Sequence, residues 1–172
     1  ASGSIQCWGN DDYGQVSNRP TVSGYTDLSS GWYHTCALDS TGGIDCWGIE
    51  DGSSADSGQV TDAPTGTSYT AVRMGGYHGC ALDAVGRIEC WGDDVHSQVS
   101  STPTGTGYTD VRGGNQHNCA LDSSGSLECW GRDWEGQVSS MPGGSGHLAV
   151  GAGGDDSCAL DASGSIQCWG YD

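Results

Sequence analysis

Apolar residues occur along this chain in short runs that are interrupted every few positions by Gly, Pro, Asp or Ser. No stretch shows the three-to-four-residue apolar spacing of an amphipathic helix. Short apolar runs bounded by turn-forming residues are typical of β-strands joined by tight turns. The pattern therefore predicts an all-β fold.

The tripeptide Cys-Trp-Gly divides the chain into repeats. Its five cysteines are separated by 39, 44, 39 and 39 residues, and they are Cys7, Cys46, Cys90, Cys129 and Cys168. A fixed period of this length is typical of repeat proteins, whose units bury their apolar faces only against neighbouring units. The longer second step reflects extra residues around 49–57, which we expect in an exposed loop.

A second motif, Cys-Ala-Leu-Asp, begins ten residues before each of the last four Cys-Trp-Gly cysteines. In the first such pair, Asp39 starts a turn in which Gly42 is the fourth residue. Asp favours the first position of a type I turn, and Gly accepts the left-handed conformation that closes a three-residue hairpin loop. Each pair of motifs therefore predicts a β-hairpin.

Folding the first hairpin about residues 40–42 places Cys36 opposite Cys46, within disulfide range of an antiparallel strand pair. The same register predicts four disulfides, which are Cys36–Cys46, Cys80–Cys90, Cys119–Cys129 and Cys158–Cys168. Reduced core cysteines are the alternative, and the spacing disfavours zinc. The ninth cysteine, Cys7, has no hairpin partner, so we expect it to be unpaired or to form an intermolecular bond.

These motifs carry a family resemblance. The pattern Gly-x-x-His-x-Cys-Ala-Leu-Asp-x-x-Gly-x-Ile/Leu-x-Cys-Trp-Gly, followed by an acidic loop and Gly-Gln-Val, resembles the RCC1-type (regulator of chromosome condensation) repeat in its cysteine-bearing, secreted bacterial form. The resemblance implies a β-propeller with four-stranded blades, normally seven in a ring. This chain has only about four repeats, so an open propeller, or one completed by oligomerisation, is expected. A WD40 repeat has a similar period, but Gly follows Trp here.

We expect one domain over residues 1–172. It comprises a partial repeat at 1–31, repeats at approximately 32–75, 76–114 and 115–153, and a terminal hairpin at 154–172. Residues 1–9 are identical to residues 162–170, so the repeat has the same phase at both places. This identity predicts either a segment of a longer array or copies that meet end to end.

The charge narrows the range of partners. The formal net charge is −17 and lysine is absent, so we expect neither nucleic acid nor anionic membranes as partners, and not the chromatin role of the family's founding member. No apolar segment is long enough for membrane insertion, and no signal peptide is present, which suggests a mature or excised product. The predicted disulfides indicate an oxidising compartment, hence a secreted or extracellular location, the cell surface included.

The histidines and acidic loops are the candidate metal ligands. His34, His78 and His117 precede three Cys-Ala-Leu cysteines, with Asp156 at the fourth position. They could bind a metal about a propeller axis, but the resemblance implies a structural role. Calcium is the candidate ion for the loop carboxylates Asp11, Asp12, Glu50, Asp51, Asp93, Asp94, Asp133 and Glu135. Adjacent acidic pairs do not by themselves supply six to eight oxygens, so we predict no metal site.

No motif predicts catalysis or a cofactor. The chain lacks a Gly-x-Ser-x-Gly elbow and a phosphate-binding Gly-Lys-Ser/Thr loop, and its carboxylate pairs recur with the repeat. The tryptophans of Cys-Trp-Gly also recur, which favours a packing role. Trp32 and Trp134 do not recur, and with Tyr13 and Tyr33 they form the predicted contact surface. Incidental partial burial is the alternative.

The favoured interpretation is a non-catalytic extracellular scaffold that serves a structural or protein-binding role and assembles with further copies of itself into a ring or filament. A secreted ligand-binding or enzyme-inhibiting propeller is the first alternative, and it requires the four aromatic residues to cluster on one exposed surface. A glycan- or cation-binding propeller is the second, and it requires exposed Trp beside carboxylates in every unit.

Overall fold

The computed structural model describes residues 3–171, so the first two residues and the last residue of the predicted domain lie outside it. Within this range twelve β-strands follow one another. They are β1 (Tyr25–Ser30), β2 (His34–Asp39), β3 (Ile44–Gly48), β4 (Tyr69–Met74), β5 (His78–Asp83), β6 (Ile88–Gly92), β7 (Tyr108–Gly113), β8 (His117–Asp122), β9 (Leu127–Gly131), β10 (His147–Ala152), β11 (Asp156–Asp161) and β12 (Ile166–Gly170). The described residues contain no helix long and apolar enough to cross a membrane.

The described strands form four antiparallel sheets of three consecutive strands each, which confirms the all-β prediction and the propeller blades. The predicted register is also confirmed, because Cys36 lies opposite Cys46 and Leu38 opposite Ile44. Each sheet joins one strand from the end of a predicted repeat to the hairpin of the next.

Each hairpin turn is stabilised by its first residue. The carboxylate of Asp39 accepts hydrogen bonds from the backbone N–H of Thr41 at 2.7 Å and of Gly43 at 3.0 Å. A further bond from the Thr41 hydroxyl, together with these two, holds the pKa of Asp39 below its usual value. Gly42 has φ +84°, and a Cβ there would lie 2.5 Å from the backbone nitrogen of Ser68. The turn therefore requires glycine for its conformation and for space.

The blades have three strands where the resemblance implied four. After each of the first four Cys-Trp-Gly motifs the chain forms turns instead of a further strand. In the first unit the carboxylate of Asp11 accepts hydrogen bonds from the backbone N–H groups of Val16 and Ser17 at 2.8 and 2.9 Å. These bonds close the segment on itself, so its donors do not pair with a neighbouring strand. In the second unit's longer loop, residues 50–54 are exposed, as expected for the insertion, whereas Ile49 at its start is buried.

The hydrophobic core lies between the blades. Cys36 and Leu38 of the first blade pack against Val72, Ala81 and Trp91 of the second. Equivalent clusters join the second blade to the third and the third to the fourth. The indole N–H of each core Trp donates to the backbone carbonyl of a Gln 32 residues earlier, in the pairs Trp47–Gln15, Trp91–Gln59, Trp130–Gln98 and Trp169–Gln137. The blades do not close into a ring within the described residues.

Candidate functional site

The cysteines form four covalent links, one in each hairpin. Sulfur–sulfur bonds of 2.04–2.10 Å join the pairs Cys36–Cys46, Cys80–Cys90, Cys119–Cys129 and Cys158–Cys168. These are the pairs that the hairpin register predicts. Cys7 has a free, partly buried thiol. The disulfides therefore link strands within a blade and leave the contacts between blades non-covalent.

The three predicted histidines lie in the core, where two of them connect successive blades. The Nε2 atom of His78 lies 2.8 Å from the side-chain oxygen of Asn118, and Nε2 of His117 lies 2.8 Å from the Ser157 hydroxyl. The equivalent partner position for His34 is Gly79, so neither of its ring nitrogens has a hydrogen-bond partner. Within residues 3–171 no group of three or more His, Cys, Asp or Glu residues could hold a metal ion.

Acidification should destabilise the fold through these histidines. Burial lowers the pKa of His34 and of His117 from 6.5 to about 4, and it also lowers that of His78. The unfolded chain thus binds protons between pH 6.5 and about 4 that the folded chain does not. Stability should fall as pH decreases through this window, by up to about 1.4 kcal/mol per pH unit for each buried histidine. Urea unfolding at several pH values measures this slope.

The variant His34→Asn shows how much of this pH dependence of stability comes from His34 and how much from the changing net charge of the whole chain. It removes one titrating ring, so its stability should depend on pH less steeply than that of the parent between pH 6.5 and 4. Equal slopes for parent and variant would show that His34 is protonated in the folded state. A similar reduction is expected for His117, whose pKa is lowered by the same cause, burial.

The predicted contact residues lie on one edge of the blades, which we call the loop face. It consists of the connections between the first and second strands of each blade and of the loops after Cys-Trp-Gly. These segments meet because the first and third strands of each sheet run in the same direction. Backbone bonds join them, such as the N–H of Ile49 to the carbonyl of Tyr33 at 2.9 Å and the N–H of Asp93 to that of Tyr77 at 3.0 Å.

Four aromatic residues on the loop face form the aromatic cluster, which consists of Tyr13, Trp32, Tyr33 and Tyr77. The ring of Tyr33 lies 5.0 Å from that of Tyr13 and 5.8 Å from that of Tyr77, and Trp32 lies 5.0 Å from Tyr77, between ring centroids. Trp32 is 55% exposed, whereas the three tyrosines are half-buried. The cluster is thus a patch of aromatic rings in edge-to-face and tilted contact.

The structure brings three of the four predicted contact residues together and adds Tyr77. Sequence reasoning selected Trp32 and Trp134 because they do not recur and added Tyr13 and Tyr33, but it did not select Tyr77, which occupies the position of Tyr33 in the next unit. The shared four-residue pattern Gly-x-Tyr-His marks both positions and could have identified Tyr77. The rings approach each other because adjacent blades place equivalent positions side by side.

Trp134 lies in a separate patch of the same face. Its ring is 5.1 Å from that of His96, and the guanidinium of Arg132 stacks 4.2 Å from the ring centroid. Arg132 also forms a 2.9 Å ion pair with Asp155 of the next blade. Among the described residues no ring contact joins Trp134 to the aromatic cluster. The cation–π contact and the ion pair together restrict the conformation of the Arg132 side chain. The stacked guanidinium in turn restricts the position of the Trp134 indole.

The acidic loops have a structural role. Asp94 and Asp133 accept backbone hydrogen bonds from residues five and six positions later, as Asp11 does. The two bonds, with that from Ser17 the larger cause, hold the pKa of Asp11 below its usual value. The carboxylates of Asp11, Asp94 and Asp133, three of the calcium candidates, therefore accept hydrogen bonds within their own turns. Acidic residues adjoin both patches, since Asp12, Glu50 and Asp51 line a depression with Tyr13, and Asp155 pairs with the arginine that stacks on Trp134.

Comparison with known families identifies one repeat. Residues 25–59 match the family model described as Regulator of chromosome condensation (RCC1) repeat. No curated protein matches the sequence. The matched segment begins at the first strand of the first blade and ends at the Gln that bonds to the core Trp, so it spans a complete sheet and its loop. The match supports the RCC1-type repeat predicted from sequence.

Solved structures share the fold. The CRINKLY WD40 ectodomain of the Arabidopsis thaliana receptor kinase ACR4 is 26% identical over 98% of this chain and 57% of its own, with a TM-score of 0.75. The ectodomain of the Physcomitrella patens receptor kinase CR4 is 28% identical over 99% of this chain and 47% of its own, with a TM-score of 0.76.

A third structure, yeast RCC1 (Prp20) bound to Kap60, is 18% identical over 85% of this chain and 43% of its own, with a TM-score of 0.66, and supports the fold alone. The chain spans about half the length of the structures it matches. The ACR4 ectodomain carries WD40 in its name, whereas the family model that matches this chain describes the RCC1 repeat.

Proposed function

We propose that this chain is a non-catalytic extracellular scaffold that binds a protein partner through the loop face. The observation that carries the proposal is the aromatic cluster, which presents a 55% exposed Trp supported by three partly buried tyrosines. Trp and Tyr dominate the energetics of protein interfaces, because they offer large contact areas at a low entropic cost. The second patch at Trp134 extends this surface.

Three further observations support the proposal. Four disulfides in a chain of this size are typical of oxidising, extracellular environments. Two of the similar structures are receptor ectodomains. The surrounding carboxylates favour a partner whose contact surface is basic, since complementary charge accelerates encounter and selects the partner.

The test is a selection of binders from a displayed library of small protein domains, followed by amide hydrogen-exchange footprinting. We expect protection on the loop face, around residues 31–33 and 76–77. Trp32→Ala should weaken the selected binders by at least about tenfold, or 1.4 kcal/mol, because Trp at the centre of an interface is a typical hot spot.

Val85→Ala is the matched control, because Val85 is an exposed apolar residue in a hairpin turn on the opposite edge of the blades. It should leave affinity unchanged. Footprints scattered over both edges, or equal losses for the two variants, would contradict a dedicated contact surface on the loop face.

We also propose that copies associate through the outer faces of the first and fourth blades. Leu28 is 53% exposed, whereas the equivalent Val72 and Val111 of inner blades are fully buried. Ile166 on the fourth blade is 70% exposed, whereas the equivalent Ile88 is 4% exposed. These two faces are the apolar halves of an inner blade interface. Light scattering tests the proposal, and a sharp 17.6 kDa monomer at high concentration would contradict it.

A further inference from the structure

A depression on the loop face lies beside the aromatic cluster. It has a volume of about 290 Å³, and its lining residues are Asp12, Tyr13, Asn18, Gly48, Glu50 and Asp51. The two loops that form it are both held against the first blade. The indole N–H of Trp47 donates to the carbonyl of Gln15 at 3.0 Å, and the N–H of Ile49 donates to that of Tyr33 at 2.9 Å. Both walls of the depression are therefore fixed by the blade between them.

The three carboxylates of the depression have no cationic partner among the described residues. Asp12 accepts a hydrogen bond from the neutral amide of Asn10, and Asp51 accepts one from a neutral backbone N–H, each at 2.9 Å. Glu50 is exposed, and no described group donates to its carboxylate. The nearest arginine in the sequence, Arg19, donates instead to a backbone carbonyl at 3.3 Å. Three negative charges thus share one depression without a positive charge to offset them.

This arrangement suits an extended cation better than a metal ion. Within residues 3–171 no acidic, His and Cys side chains converge closely enough, in a group of three or more, to hold a metal. A calcium ion requires many oxygens around one point. Carboxylates that line a depression without converging can instead each bind a different edge of a larger cation. The guanidinium group of arginine is such a cation, because its N–H donors are spread over a plane.

Tyr13 supplies an aromatic wall beside these carboxylates. Its ring lies 5.0 Å from that of Tyr33 between centroids, with an interplanar angle of 62°, so the aromatic cluster supports it from behind. A guanidinium group stacks on aromatic rings, and it is more weakly hydrated than the ammonium group of lysine. Stacking therefore costs arginine less desolvation, and a ring beside carboxylates favours arginine over lysine.

The loop face already holds one arginine in this way. Arg132 stacks 4.2 Å from the ring centroid of Trp134 and forms an ion pair with Asp155 at 2.9 Å. Arg132 directly follows a Cys-Trp-Gly motif, and the equivalent residues of the first two units are the uncharged Asn10 and Ile49. The depression thus presents an aromatic ring and carboxylates, while the chain places no arginine at the position that supplies one in the later unit.

We propose that the depression receives an arginine side chain of the protein partner. The guanidinium stacks on the ring of Tyr13 and pairs with the carboxylates of Glu50 and Asp51. The volume lies just below the range of about 300–1,000 Å³ that is typical of small-molecule sites, which favours a single side chain as the occupant. The net charge of −17 attracts a basic partner. The inference rests on the proposed binding through the loop face and names the contact residue of the partner.

The test uses the capped pentapeptide Gly-Gly-Arg-Gly-Gly and the same peptide with citrulline, which has the shape of arginine without its charge. Each is titrated into isotopically labelled protein, and backbone amide shifts are followed by nuclear magnetic resonance. We expect the arginine peptide to shift the amides of residues 12–13 and 48–51 and to bind about tenfold more tightly than the citrulline peptide. A lysine peptide should bind about threefold more weakly than the arginine peptide. Equal binding of the three peptides would overturn the inference.

Glu50→Gln should weaken binding of the arginine peptide about threefold, because it removes one exposed ion pair and preserves the shape of the side chain. Glu135→Gln is the matched control, since its carboxylate is also exposed and without a hydrogen bond but lies in the loop after the third blade. It should leave affinity unchanged, because salt screens charges more than about 8 Å away. Equal losses for the two variants would mean that net charge alone attracts the peptide.

Tyr13→Leu tests the aromatic wall. It removes the ring but keeps an apolar side chain, and it should weaken the arginine peptide about threefold while leaving the citrulline peptide nearly unchanged. An equal effect on both peptides would show that the ring contributes no cation–π contact. Circular dichroism of each variant confirms that any loss is not unfolding.

The outcomes separate the arginine site from the loop-face binding on which it rests. If selected protein binders protect the loop face but none places an arginine against residues 12–13 and 48–51, the proposed function stands and the arginine site is overturned. If neither the arginine peptide nor any binder affects the loop face, both proposals fail.

Discussion

Replacing Trp91 by alanine should lower the free energy of unfolding by about 4 kcal/mol, the usual range for a buried Trp being about 3–5 kcal/mol. Trp91 is 4% exposed and packs between two blades against Cys36 and Leu38. Its indole N–H also donates to the carbonyl of Gln59 at 3.0 Å. The substitution would leave a cavity between the second blade and the first and an unpaired carbonyl in the loop between them. Urea unfolding followed by circular dichroism measures the loss.

Trp8→Ala is a control within the same Cys-Trp-Gly motif. Trp8 is 86% exposed, because the described residues provide no blade that packs on it. Its replacement should change stability by less than about 0.5 kcal/mol, as is usual for exposed positions. The comparison therefore isolates the contribution of inter-blade packing from that of the motif. A similar loss for both variants would mean that Cys-Trp-Gly stabilises the hairpin locally, and the account of the core would be wrong.

Removing the disulfide of the second blade should cost about 4 kcal/mol, near the upper end of the range of about 2–5 kcal/mol for native disulfides. The change is Cys80→Ala with Cys90→Ala, made in a Cys7→Ser background to prevent thiol exchange. The two cysteines are 10 residues apart. Lost loop entropy then accounts for about 2.7 kcal/mol. The rest comes from packing, because Cys80 is fully buried between blades.

The same double replacement at Cys158 and Cys168 is the matched control. The sequence separation is again 10 residues, so the entropic contribution is the same. The pair is largely exposed, so little packing is lost, and we expect a cost of about 2.5 kcal/mol. Chemical denaturation of the two variants gives the difference directly. If removing the terminal disulfide lowered stability as much as removing the inner one, burial between blades would contribute nothing to the stabilising effect of the inner disulfide.

The hairpins and their cross-links could be predicted because they depend on residues within ten positions of each other. Asp39 and Gly42 define the turn, the turn defines the register, and the register brings Cys36 opposite Cys46. The family resemblance implied a fourth strand in each blade, and the structure does not form it. The carboxylate of Asp11 closes a turn on itself, so the blade has three strands.

The candidate site was predictable only in part. Sequence reasoning placed Tyr13, Trp32 and Tyr33 on a common surface, and the structure does bring them together. It also grouped Trp134 with them, although that residue stacks with Arg132 in another patch. Recurrence along the chain reveals which positions are equivalent. It does not reveal which loops of different blades lie close enough for their side chains to touch.

The sequence by itself determined the repeat, the all-β hairpins and the disulfide pairs, since each follows from local turn chemistry and spacing. Only the tertiary structure decided which equivalent residues differ in role. His78 has Asn118 as its partner while His34 faces Gly79, and Val72 is buried while Leu28 is exposed. The physical reason is that these properties depend on the side chain presented by the neighbouring blade, about 40 residues away, and on whether a neighbouring blade is there at all.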